Sequence, residues 1–79
     1  MTVSALVVTL SSDPAVAPQA LAALAQDPRL QLGERHAERI PVVAETESPA
    51  AGVALCEHLE RLAGVLRVDV VAIDFAERA

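Results

Sequence analysis

Seventy-nine residues suffice for one small domain over 1–79, because a chain this short buries only about 60% of the surface its unfolded state exposes. At 53% hydrophobic residues it is too apolar for a disordered segment, yet Phe75 is its single aromatic, so Val, Leu, Ile and Ala must build the core. Six arginines, no lysine and eleven carboxylates leave a net charge of −5, which repels nucleic acid and anionic membranes and favours basic partners. Without an aromatic platform for bases either, nucleic-acid binding is excluded.

The opening "MTVSALVVTLSSD" lacks a basic n-region, and its apolar run is short for a signal peptide. No stretch approaches the ~20 apolar residues of a membrane span, so the expectation is a soluble cytoplasmic protein without membrane insertion. The β-branched run Ser4–Leu10 reads as a first strand, broken by Ser11, Ser12 and Asp13. Asp13-Pro14 has the form of a helix cap. Pro18 lacks an N–H and fits only near a helix start, so the regular helix is expected from about Ala17 to just before Pro28.

Leu30 and Leu32 alternate with polar neighbours as a short second strand, and "GERHAER" is a charged hairpin connection. "IPVVAET" is the third strand. Ser48-Pro49 caps a second helix extending to about Ala63, and Gly64 stands where a left-handed residue is wanted. "GVLRVDVVAIDF" is the last strand. The chain also echoes itself at an offset of 35 positions: Val7-Val8 falls on Val42-Val43, Pro14-Ala15 on Pro49-Ala50 and Leu24 on Leu59.

This β-α-β unit, used twice, predicts an α+β, ferredoxin-like βαββαβ fold: a four-stranded antiparallel sheet, order 4-1-3-2, with two helices on one face. Pro41 would then lie in a central strand, where a bulge or an unpaired position is expected.

Alternation sorts each strand by face. Leu6, Val8 and Leu10, then Ile40, Val42 and Ala44, and finally Leu66, Val68, Val70 and Ala72 are expected to face the helices. Ala5, Val7, Thr9, Pro41, Val43, Glu45, Val65, Arg67, Asp69, Val71 and Ile73 are then left on the open side. That side would carry an aliphatic centre bordered by polar groups, with Glu45 and Asp69 able to be neighbours and Arg67 able to hold either one.

Little here points to catalysis. His36 and His58 lack metal-ligand spacing, so no metal is expected, and Cys56 falls on the apolar stripe of the second helix. "SSDPA" has no glycine to cradle phosphate, and an open sheet face cannot desolvate Glu45 and Asp69 enough for acid–base work. The expectation is a binding protein with no cofactor, not an enzyme. An aliphatic patch beside carboxylates suits an amphipathic peptide. Two alternatives share the topology: a small-molecule effector domain of the ACT type, and a self-associating interaction domain. The first favours a glycine near the first strand–helix loop, and "LSSDP" has none.

"SALVVTL", "IPVVAETES" and "LAGVLRVDVVAIDF", in that order and spacing, resemble the NapD proteins over roughly Val3 to Phe75. The resemblance implies the ferredoxin-like fold. It also implies a cytoplasmic chaperone that binds the twin-arginine signal peptide of the periplasmic nitrate reductase precursor and restrains export until cofactors are inserted. By the same resemblance the peptide would bind as a helix on the open sheet face, at Ala5, Val7, Thr9, Pro41, Val43, Glu45, Arg67, Asp69, Val71 and Ile73. A monomer or weak dimer is expected. Family members often place bulky residues in the last strand where this chain has Ala72 and Ile73.

Overall fold

Thr2, Ser4, Leu6, Val8 and Leu10 are buried while the residues between them are half-buried, the period-2 pattern of a strand with two unlike faces. In the computed structural model, which describes residues 1–75, these residues form strand β1 (Thr2–Leu10). It is followed by α1 (Ala17–Gln26), β2 (Leu30–Leu32), β3 (Arg39–Thr46), α2 (Pro49–Glu60) and β4 (Val65–Phe75). The sheet order is β2-β3-β1-β4, and every pairing is antiparallel, as the βαββαβ reading requires. Both helices pack on the face to which Leu6, Val8, Leu10, Ile40, Val42 and Ala44 point. Leu24, Leu55 and Leu59 complete that core with 2% exposure or less. Truncating any of these leucines to alanine removes about 2–5 kcal/mol.

Local chemistry explains where the helices begin. Ser48 is the N-cap of α2: its hydroxyl accepts from the Ala51 N–H at 3.1 Å, and Pro49 follows in the first turn. α1 starts at Ala17, as the position of Pro18 requires, but Asp13 is not its cap. The Asp13 carboxylate accepts instead from Ala15 N–H at 2.9 Å, closing a separate turn, and the N-cap residue is Val16. α2 is also shorter than expected, ending at Glu60 with Arg61 as C-cap.

Gly64 has the left-handed φ anticipated, +92°, in the turn that feeds β4. Its carbonyl accepts from Ser11 N–H at 2.7 Å, and a Cβ there would meet the Val16 carbonyl oxygen at 2.6 Å. Between α1 and β2, Asp27 accepts from both the backbone N–H and the guanidinium of Arg29, the latter at 2.7 and 3.0 Å. The Arg29 hydrogen bonds hold the Asp27 carboxyl below its usual pKa, against a smaller opposing effect of burial.

Gly64→Ala should therefore lower the unfolding free energy by about 1–3 kcal/mol in a denaturant titration, through the left-handed backbone and the clash together. Asp27→Asn keeps the acceptor for the Arg29 N–H but removes the charge, and should cost less than about 1 kcal/mol at neutral pH. Because the folded-state pKa lies below the unfolded value of about 3.9, the native advantage is complete above that value. It should vanish as pH falls through the lowered pKa, so the stability curves of the wild type and the Asp27→Asn variant converge in acid.

Candidate functional site

The sheet face away from the helices carries no covering element among the described residues. Its β1 contribution is Val3, Ala5, Val7 and Thr9, all half-buried. Opposite them on β3 stand Glu45, Val43, Pro41 and Arg39, in the pairs Val3↔Glu45, Ala5↔Val43, Val7↔Pro41 and Thr9↔Arg39. Gln31 of β2 lies beside Val43. A shallow depression of about 440 Å³ follows these rows, lined among others by Ala5, Val7, Gln31, Gly33, Pro41, Val43 and Val71. The expected residues Ala5, Val7, Pro41, Val43 and Val71 are thus brought together. Gln31 and Gly33 were not anticipated, although the alternation of Leu30 and Leu32 already turns Gln31 outward.

Pro41 needs no bulge. The β1–β3 register runs unbroken past it. The N–H and C=O of one strand residue point to the same side, and the Pro41 carbonyl accepts from Gly33 N–H at 2.7 Å. The missing donor therefore faces Gly33, just beyond the end of β2, and the central β1–β3 ladder loses nothing. Gly33 also makes room for the ring: a Cβ on it would lie 2.7 Å from Pro41 Cγ.

β4 departs from the expected face assignment. Its pairing with β1 shifts twice, once between Thr9↔Arg67 and Leu10↔Val65, and again between Ala5↔Ala72 and Leu6↔Val70. Leu66 and Val71 are the extra residues of two β-bulges, and each bulge reverses the phase of alternation beyond it. Val65 therefore turns inward and is buried, Leu66 is 68% exposed, and Ala72 joins the open face opposite Ala5. Ile73 pairs with Ser4 and lines a groove beside α2, so it belongs to the helix side and not to the open face. Val68 and Val70 do face the helix side, as expected.

Arg67 and Asp69 remain on the open face, opposite Thr9 and Val7. Arg67 Nε donates to Asp69 Oδ1 at 2.8 Å, so the carboxylate beside the aliphatic rows already holds a guanidinium. Glu45 is not its neighbour. It pairs with Val3, four residues along β1 from Val7, roughly 13 Å at strand rise. Among the described residues, Asp69 thus stands midway along the face and Glu45 at one end, separated by Val7, Ala5, Val43 and Val71.

Among the described residues, no group of three or more His, Cys, Asp or Glu side chains could hold a metal ion, and no helix is long and apolar enough to cross a membrane. Cys56 is partly buried. Burial, with smaller contributions from Glu60 and Glu57, pushes its thiol pKa up and away from nucleophilic character.

No family model matches the chain, and no curated protein matches it. Among solved structures it is similar to the solution structure of the E. coli Tat proofreading chaperone protein NapD. The TM-score is 0.76 and the identity 23%, covering 98% of this chain and 81% of that one. At that identity the likeness establishes the shared fold.

The accommodation of Pro41 is testable by a double-mutant cycle. Gly33→Ala should destabilise the protein, and Pro41→Val in that background should recover about 1 kcal/mol more than it contributes alone, measured by denaturant unfolding. Additive effects would show that ring and glycine do not interact.

Proposed function

We propose that this protein is a chaperone that binds a twin-arginine signal peptide on its open sheet face. Its cargo is then the precursor of a periplasmic nitrate reductase catalytic subunit, restrained from export while cofactors are inserted. The observation that carries the reading is the juxtaposition on one uncovered face of aliphatic rows with Asp69, a carboxylate already engaged by a guanidinium at 2.8 Å. A twin-arginine peptide joins a basic region to an apolar one, which is the complementary pattern. The fold shared with a Tat proofreading chaperone supports it further.

In mechanism, Val7, Val43 and Val71, with Ala5 and the Pro41 ring, receive the apolar stretch and lose water with it. A peptide guanidinium takes Asp69 from Arg67, exchanging one charge-assisted hydrogen bond for another. The exchange is feasible because the resident pair is at the surface, with side chains 72% and 43% exposed, where such pairs contribute only about 0–1 kcal/mol. Glu45 serves a second cation further along the peptide. The net charge of −5 draws the basic segment in. Thr9 and Arg67 close the far end of the site. Cytoplasmic residence follows from this role, since the peptide must be met before export.

Calorimetric titration with a synthetic twin-arginine signal peptide should give binding that weakens with ionic strength and exceeds that of a scrambled peptide of equal charge. Asp69→Lys and Val71→Asp should each reduce affinity about tenfold or more, equivalent to about 1.4 kcal/mol, with unchanged circular dichroism. Equal binding of native and scrambled peptides would sink the reading.

A further inference from the structure

The exposed aliphatic side chains of this protein are concentrated on one strand. Leu66 (68%), Val70 (49%), Val71 (66%) and Ile73 (52%) all lie on β4, and Val53 of α2 (59%) flanks Val70 and Ile73. β4 is also an edge of the sheet, paired with β1 on one side only, and at eleven residues it is the longest strand. A long apolar edge is a template for another strand unless it is blocked. No lysine or proline blocks it here.

The two faces discriminate between kinds of occupant. Val71 is exposed on the open face, whereas Val70 and Ile73 are exposed on the helix side, above a groove of about 220 Å³ that Val53, Cys56, Glu57 and Glu60 border. A ligand lying on the open face covers Val71 and leaves the other two in water. Only a strand added along the edge flanks both faces at once. Such a strand must itself offer aliphatic side chains to both faces, and must complement Arg67 and Asp69. β4 does both. Laid antiparallel against a second β4 about a two-fold axis through Val68, it sets Arg67 opposite the Asp69 of the other copy, and Asp69 opposite its Arg67.

We infer that the β4 edge is a self-association surface, through which two copies join their sheets into one of eight strands. The four charges then alternate across the junction on the open face, and like charges never stand directly opposite. The bulges at Leu66 and Val71 confine the regular pairing about this axis to Arg67, Val68 and Asp69, and each copy carries a charge of −5, so the dimer is weak and reversible. The open faces of the two copies run on into one another across the junction. The edge shares Arg67 and Asp69 with the face proposed above for peptide binding, but the inference of self-association does not rest on that reading.

Sedimentation velocity of the full chain, from about 10 µM to about 1 mM, should show a monomer–dimer equilibrium. Arg67→Asp alone and Asp69→Arg alone each set like charges opposite one another and should shift it to monomer by at least tenfold in concentration. The double variant R67D/D69R restores alternation and should restore the dimer. Val43→Glu, on the open face away from the edge, should leave it unchanged, and circular dichroism checks that each variant is folded. A monomer at every concentration, a dimer indifferent to the charge swap, or a dimer lost with Val43→Glu would each overturn the proposal.

Discussion

The central strand β1 pairs with two neighbours, with β3 from Thr2 to Thr9 and with β4 from Thr2 to Leu10, and the rest of the molecule hangs from that pairing. Its alternation commits Leu6, Val8 and Leu10 to a fully buried side and Ala5, Val7 and Thr9 to the opposite one. Because β3 is in unbroken register with it, Ile40, Val42 and Ala44 must be inward and Pro41, Val43 and Glu45 outward. The helices fill the first side. The second side carries no covering element among the described residues. A slip of one residue in either ladder would exchange the two sets, at a cost of several buried aliphatic side chains, each contributing about 1.5–3 kcal/mol.

β4 is held to the same strand more loosely, and its two bulges decide which side chains each face receives. Without them, Ile73 would sit on the open face, Leu66 would be pressed toward the core and Val65 toward solvent. With them, the last strand presents Arg67, Asp69, Val71 and Ala72 to the open side while Val65 and Val68 serve the core. Bulges of this kind re-aim side chains at sheet edges and near binding sites. Here they also leave aliphatic groups exposed on both sides of the edge. The composition of the open face and the exposure of the edge are two results of one irregular pairing.

Electrostatics sets the scale of what the open face can do. Its central carboxylate is at the surface and paired, so neither partner is stored at high energy, and exchange for another guanidinium is close to neutral in the charge term. Net affinity for a peptide must then come from the aliphatic rows, with charge contributing register and rate of encounter. Under the proposed reading, that division suits release of the peptide.

Much of the fold was legible in residue order. Pro18 and the Ser48-Pro49 pair mark helix starts through missing or satisfied N–H groups, and the β-branched runs with their alternation identify β1 and β3 and their faces. These signals are local: they depend on a residue and its near neighbours along the chain. In the candidate site that rule covers Ala5, Val7, Pro41 and Val43, together with Arg67, Asp69 and Val71 of the last strand, and would have covered Gln31. What tertiary structure alone decided was the phase of β4, and with it the inward turn of Ile73, the exposure of Leu66 and the place of Ala72. It also decided that Arg67 holds Asp69 while Glu45 lies four residues away along β1, and that Pro41 is accommodated by Gly33 and not by a bulge. The reason is physical. A bulge is selected by how two ladders and a core compete for the same backbone groups, and no periodicity within one strand records the outcome of that competition.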